Sequence, residues 1–325
     1  MLRLLASCAA ALLCAACAQA PMEPKPRLGD ADAGTVWFAS AGSLAMSPDR
    51  LRMVPADPVT LSGELKFPAG AGPFPAVILA HGCGGTGAAD ATWAPVLREW
   101  GYATFVVDSF RGRGLTRICV QPRVLSPTQR IPDVYGALRI LATHPRIDAR
   151  RVALMGFSHG GDVALRAATQ WAKDRFAPPG QPGFRALLPF YPFCGYVYPE
   201  RQRISAPLRL HHGELDDWLP VAPCIRLVES LKVSRQDAGI TVYPGGLHGF
   251  DNAGIGSAKV YLPDVGSLTG CTFAVGGLAG PYPKPRESDA QATRCLRKGA
   301  SIGYSAEASA QARRVVRAQL AELLK

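Results

Sequence analysis

LMGFSHGGDVAL, residues 154–165, sets Ser158 between Gly156 and Gly160, with a third glycine at 161. In a chain with 34 glycines among 325 residues a G-x-S-x-G string alone says little, since a plain glycine-rich turn would read the same. Its flanks decide the matter. Val152–Met155 is a short apolar run of strand character, and the residues from His159 onward read as a helix. A strand-to-helix turn this sharp brings backbone atoms so close that side chains at Gly156 and Gly160 would collide, while Gly161 lets the helix lie near the strand. Ser158 is thereby pushed out at the C-terminal edge of a sheet. There the helix N-terminus offers the His159 N–H and a favourable dipole to a developing oxyanion.

A serine hydroxyl is a poor nucleophile at neutral pH, so it needs a histidine to take its proton and a carboxylate to orient that histidine. Both follow Ser158, in the order Ser, Asp, His. Strand Leu208–His212 ends in GELDDWLP, and strand Ile240–Tyr243 ends in PGGLHGFD, which puts Asp216 and His248 just past strand C-termini on the edge where Ser158 stands. Asp216 is preferred to its neighbour Asp217 because it directly follows the Gly-x-x turn; Asp251 reads as a loop carboxylate. His211 and His212 lie within a strand and read as packing residues, His144 as a surface cap, and His81 as a brace for its own loop. His159 contributes its amide. A second oxyanion donor is expected from HGCGG, after strand Ala76–Ala80, with the Cys83 N–H as candidate and Gly84 behind it.

Around this centre strands and helices alternate. Strand signals fall at 61–67, 76–80, 103–107, 151–157, 185–191, 207–212 and 239–243, and helical ones at 92–100, 128–143, 159–172 and 221–234. Such alternation predicts an α/β fold with a doubly wound, mostly parallel sheet covered on both faces. Residues 21–50, rich in Pro, Gly and Ala, read as a leader before a domain over 51–325. Residues 252–304 read as a loop insertion, for which a Cys271–Cys295 staple would compensate, before a last helix that Ser305 caps.

MLRLLASCAAALLCAACAQA, residues 1–20, has an early Arg, an apolar stretch too short to span a bilayer and small residues at its end, as an export signal does. Leu13-Cys14-Ala15-Ala16-Cys17 also offers a degenerate lipobox, so membrane attachment is expected only if Cys17 is lipidated. Six cysteines then remain, an even number without metal-ligand spacing, and an oxidising compartment favours disulfides among fifteen connectivities. The net charge of +11 is dispersed as single arginines. That distribution argues against a nucleic-acid surface.

AHGCGG (80–85), VVDSFRGRG (106–114), MGFSHGG (155–161), FYPFCG (190–195), HGELDDWLP (212–220) and YPGGLHGFDN (243–252) occur in this order. The chain thus resembles the dienelactone hydrolase family of the α/β-hydrolase superfamily, over roughly residues 55–255 plus the final helix. The resemblance implies an eight-stranded sheet, a Ser158, Asp216, His248 triad and hydrolysis of a small ester or lactone, with no metal or organic cofactor. One departure stands out: the founding members use a cysteine nucleophile where this chain has Ser158, which favours a general carboxylesterase. Within this frame the cysteines pair as Cys83 with Cys119, Cys194 with Cys224, and Cys271 with Cys295. Arg111 and Arg113, in the DSFRGRG loop, stand where they could meet an acidic substrate or form ion pairs across the loop. A prolyl-type peptidase and a non-catalytic exported binding module on the same fold are the competing expectations.

Overall fold

Period-two alternation builds the sheet, and it starts earlier than expected. In the computed structural model, which describes residues 22–177, 180 and 182–325, the strands of the main sheet are β1 (Gly34–Ala39), β2 (Thr60–Lys66), β3 (Phe74–Ala80), β4 (Ala103–Asp108), β5 (Ile147–Phe157), β6 (Ala186–Phe190), β7 (Leu208–Gly213) and β8 (Ala238–Tyr243). The expected export signal, with Cys17 in it, lies outside the described residues. The segment read as a leader is corrected in part: GTVWFA turns Val36 and Phe38 inward, both almost wholly buried, and supplies the edge strand β1.

The spatial order is β1-β2-β4-β3-β5-β6-β7-β8. β1–β2 and β2–β4 pair antiparallel; all later pairs are parallel, with Ala76–Ala80 in register against both Ala103–Val107 and Val152–Gly156. Alternate residues of β3 feed two cores. Ala76, Ile78 and Ala80 face the side packed by α2 (Ile131–Leu141), α3 (His159–Ala167), α4 (Gln170–Phe176) and α5 (Ala222–Val233). Val77 and Leu79 face α1 (Ala88–Glu99) and α7 (Ala306–Leu323). Each fully buried aliphatic side chain contributes roughly 1.5–3 kcal/mol, and burial on both faces explains the near-continuous apolar runs. α7 starts as expected, with the Ser305 hydroxyl accepting the Ala308 N–H.

The insertion is not the irregular loop its composition suggested. Val260–Ser267 pairs antiparallel with Arg297–Ile302, and α6 (Pro285–Cys295) lies between them in sequence. Disulfides join Cys83 to Cys119, Cys194 to Cys224 and Cys271 to Cys295. The last of these packs with Phe193, Leu219 and Phe273 in a small core of its own, so the insertion is fastened to the loops after β6 and β7. No described helix is long and apolar enough to cross a membrane.

Candidate active site

The turn between β5 and α3 is held as tightly as its glycines imply. A Cβ on Gly156 would stand 2.0 Å from the Gly160 carbonyl oxygen, one on Gly160 2.0 Å from that of Ala80, and one on Gly161 2.4 Å from that of Phe190. None of these backbone atoms can yield, so only glycine fits. Ser158 itself takes φ 54° and ψ −117°, a conformation costly for a residue with a side chain, and its N–H is anchored on the Phe190 carbonyl at 3.0 Å.

Three side chains remote in sequence meet there. His248 Nε2 lies 2.9 Å from Ser158 Oγ, and His248 Nδ1 lies 2.8 Å from Asp216 Oδ2. The other Asp216 oxygen accepts the Trp218 and Leu219 amides at 3.0 and 2.8 Å, which fixes the carboxylate's rotation. The Tyr191 and Trp218 rings both pack against His248, with centroids 4.7 and 4.8 Å away, which restricts its swing. Asp217 points elsewhere. Its Oδ1 accepts the Ser301 amide at 2.7 Å and its carbonyl accepts the Ser267 hydroxyl, tying the insertion to the loop that carries Asp216. The loop of His248 is held from the same side, by the Gly303 N–H on the His248 carbonyl.

Gly82 passes beside Ser158: a Cβ there would be only 3.5 Å from the serine Cβ. Cys83 follows, its loop bridged to Cys119 and its carbonyl accepting the Ile118 N–H at 2.9 Å. Among the described residues neither the Cys83 nor the His159 amide donates to an acceptor. Each therefore has a backbone N–H left to donate, one in the residue after Gly82 and the other in the residue after Ser158.

Other candidates separate. Arg113 is committed to Asp133 through both guanidinium nitrogens at 2.8 Å and to the Ser109 carbonyl at 2.7 Å. Arg111 is exposed and lies over the Trp37 ring. His211 and His212 are wholly buried, and burial pushes the His211 imidazole down to about 3. His144 is corrected from a surface cap: it is buried, with Nδ1 accepting the Arg146 N–H and Nε2 on the Asp32 carbonyl. Asp251 is a loop carboxylate, as expected, but not an exposed one. It is fully buried, accepts the Trp93 indole N–H at 2.6 Å, and burial raises its pKa. Asp162 of α3, missed in the sequence, accepts the Phe193 N–H at 2.7 Å and so pins the loop after β6; burial lifts it to about 6. Among the described residues no three of His, Cys, Asp and Glu converge as metal ligands.

The strand order, the helices on both faces and a sharply turned serine after β5 define an α/β-hydrolase fold. The family model of the dienelactone hydrolases matches residues 61–261, and the chain belongs to that family. A probable 2-oxo-3-(5-oxofuran-2-ylidene)propanoate lactonase of Bradyrhizobium sp. is 24% identical over 144 residues, which are 41% of this chain and 54% of that protein. The chain thus spans about half the length of this curated relative. Among solved structures, a dienelactone hydrolase-like promiscuous phosphotriesterase from metagenomic libraries is 16% identical, covering 90% of this chain and 100% of that one at a TM-score of 0.55. Esterase 2 of Thermogutta terrifontis is 17% identical, covering 66% and 88% at a TM-score of 0.49.

Proposed function

We propose that this protein is an exported hydrolase of carboxylic esters or lactones that works through an acyl-enzyme on Ser158. One observation carries the reading: the unbroken relay Ser158–His248–Asp216, with contacts of 2.9 and 2.8 Å. Ser158 Oγ attacks the carbonyl while His248 Nε2 takes its proton. The Cys83 and His159 amides receive the oxyanion. His248 then returns the proton to the leaving alcohol, and water repeats the sequence to free the acid and the serine. In a lactone the leaving alcohol stays part of the acyl group, and that hydrolysis releases a single hydroxy acid. No step calls on a metal or an organic cofactor.

Family membership supports a small ester or lactone as substrate, and the three disulfides suit an oxidising compartment reached by way of residues 1–20. With Arg113 engaged by Asp133, Arg111 is the arginine of that loop left to greet an acidic substrate.

The test is a panel of p-nitrophenyl esters of graded acyl length beside an aminoacyl anilide, run on wild type and Ser158→Ala. Esters should turn over with an initial burst and the anilide should not, while Ser158→Ala should lose at least ~10⁴-fold in kcat. Preference for the anilide would make the protein a peptidase. Failure of every substrate, together with failure of a fluorophosphonate to label Ser158, would make it a binding module.

A further inference from the structure

Arg130 breaks three local rules at once. It is a charged side chain only 1% exposed, and charged residues are rarely buried without a counter-charge. It stands at the N-cap of α2, the end of a helix where a cation is disfavoured. And no carboxylate comes within ion-pair distance of it among the described residues; Asp133, three residues on, gives both its oxygens to Arg113. Burial draws its pKa down to about 10, so the guanidinium is charged at neutral pH. Natural sequences break local rules of this kind mostly where function requires it.

The partners of Arg130 say what it serves. Its Nη1 lies 2.8 Å from His159 Nδ1, and its Nη2 donates to the His81 carbonyl at 3.1 Å. An arginine only donates, so His159 Nδ1 accepts and the His159 proton sits on Nε2. His81 is fixed in turn. Its Nε2 accepts the Ser109 N–H at 3.2 Å, which leaves the proton on Nδ1, 2.8 Å from the Gly82 carbonyl. The guanidinium also faces the Phe110 ring at 5.3 Å, and that ring packs edge-on against His81. One rigid fork thus spans two segments, His81-Gly82-Cys83 and Ser158-His159. On the reading given above, these are the segments whose amides receive the oxyanion.

We propose that Arg130 is a positioning residue for ester hydrolysis: its guanidinium ties the two oxyanion-binding segments together from behind and lends them a buried positive charge. This rests on the proposed function and deepens it. Arg130 touches no reacting atom, so its effect passes through the two amides. A planar fork fits this place better than an ammonium, which donates from a point and cannot span both acceptors with the same geometry. The charge counts for more here than at the surface, because the guanidinium is buried.

The test compares Arg130→Gln and Arg130→Lys with wild type on a p-nitrophenyl ester, and measures inhibition by a boronic acid, whose tetrahedral adduct on Ser158 carries the negative charge that the ester ground state lacks. Arg130→Gln should lower kcat by about 10²-fold with KM within about threefold, and weaken the boronate by a similar factor. Arg130→Lys should recover about tenfold of that kcat and stay below wild type, since it restores the charge but not the fork. A folded Arg130→Gln protein with kcat and boronate affinity within threefold of wild type would overturn the assignment, as would a loss confined to KM or a lysine variant no better than glutamine. If Arg130→Gln does not fold, Arg130→Lys alone decides: the assignment requires a lowered kcat with boronate affinity falling in proportion, and either an unchanged kcat or an unchanged affinity beside a lowered kcat refutes it. Wild type that neither turns over esters nor binds the boronate would instead refute the proposed function itself.

Discussion

Asp216→Asn is expected to lower kcat by about 10⁴-fold, while Asp217→Asn, one residue further on, should leave kcat within about threefold of wild type. The amides of Trp218 and Leu219 both donate to one oxygen at position 216, so an asparagine there must turn its own oxygen toward them. Its NH₂ then faces His248 Nδ1, where the Asp216 carboxylate now accepts. That imidazole nitrogen becomes an acceptor, the ring proton moves to Nε2, and Nε2 can no longer take the serine proton. Geometry is preserved and the tautomer is wrong. At 217 an asparagine can still accept the Ser301 N–H through its amide oxygen, and the change should cost about 1 kcal/mol in the attachment of the insertion. Steady-state kinetics and urea melts of the two variants check this, and a collapse of kcat at 217 instead of 216 would reassign the acid.

Gly160→Ala should be nearly as damaging by a different route. The new methyl would lie 2.0 Å from the Ala80 carbonyl oxygen and 2.6 Å from that of His81, backbone atoms at the end of β3 and the start of the loop that leads to Cys83. Either α3 moves away from β3 or the Cys83 loop is displaced; each costs packing, and we expect a loss of about 3 kcal/mol or more in stability. A displacement of about 1 Å between Ser158 and the Cys83 amide would cost a further ~10²-fold in kcat. Gly239→Ala is the control, since a methyl there meets only Arg209 Cδ at 3.5 Å, an ordinary contact. Its melting temperature should match or slightly exceed that of wild type. Gly160→Ala with full stability and activity would mean that the elbow is looser than its contacts allow.

The central half of the fold was legible because its constraints are local. Glycines at fixed offsets around Ser158 answer to backbone contacts within a single turn, and the apolar runs of β3, β4 and β5 answer to burial on both faces. Asp216 and His248 could be found because parallel strands deliver their C-termini to one edge. What failed to show depends on distant partners. β1 is a six-residue strand behind a segment rich in proline and glycine, recognisable only once β2 is there to pair with it. The strand pair of the insertion leaves Val260 and Tyr261 exposed, and the sequence of α6, PRESDAQATRC, has almost no apolar face; both are held by the Cys271–Cys295 bridge and by Asp217, not by periodicity. His144 looked like a surface residue because Asp32, its partner, lies far away in the chain. Arg130 gave one faint signal, a base just before the Ile-Pro-Asp that opens α2. Nothing in the order of residues says that an arginine will be buried between two histidines.

The claim beneath all of this is that Ser158 becomes covalently acylated during turnover. Wild-type protein quenched in acid during hydrolysis of a slowly released ester, weighed intact and then mapped by peptide mass, tests it directly. One acyl group per molecule is expected, on Ser158, and none on Ser158→Ala. Turnover by protein that stays unmodified, or an acyl group carried on any other side chain, would contradict it.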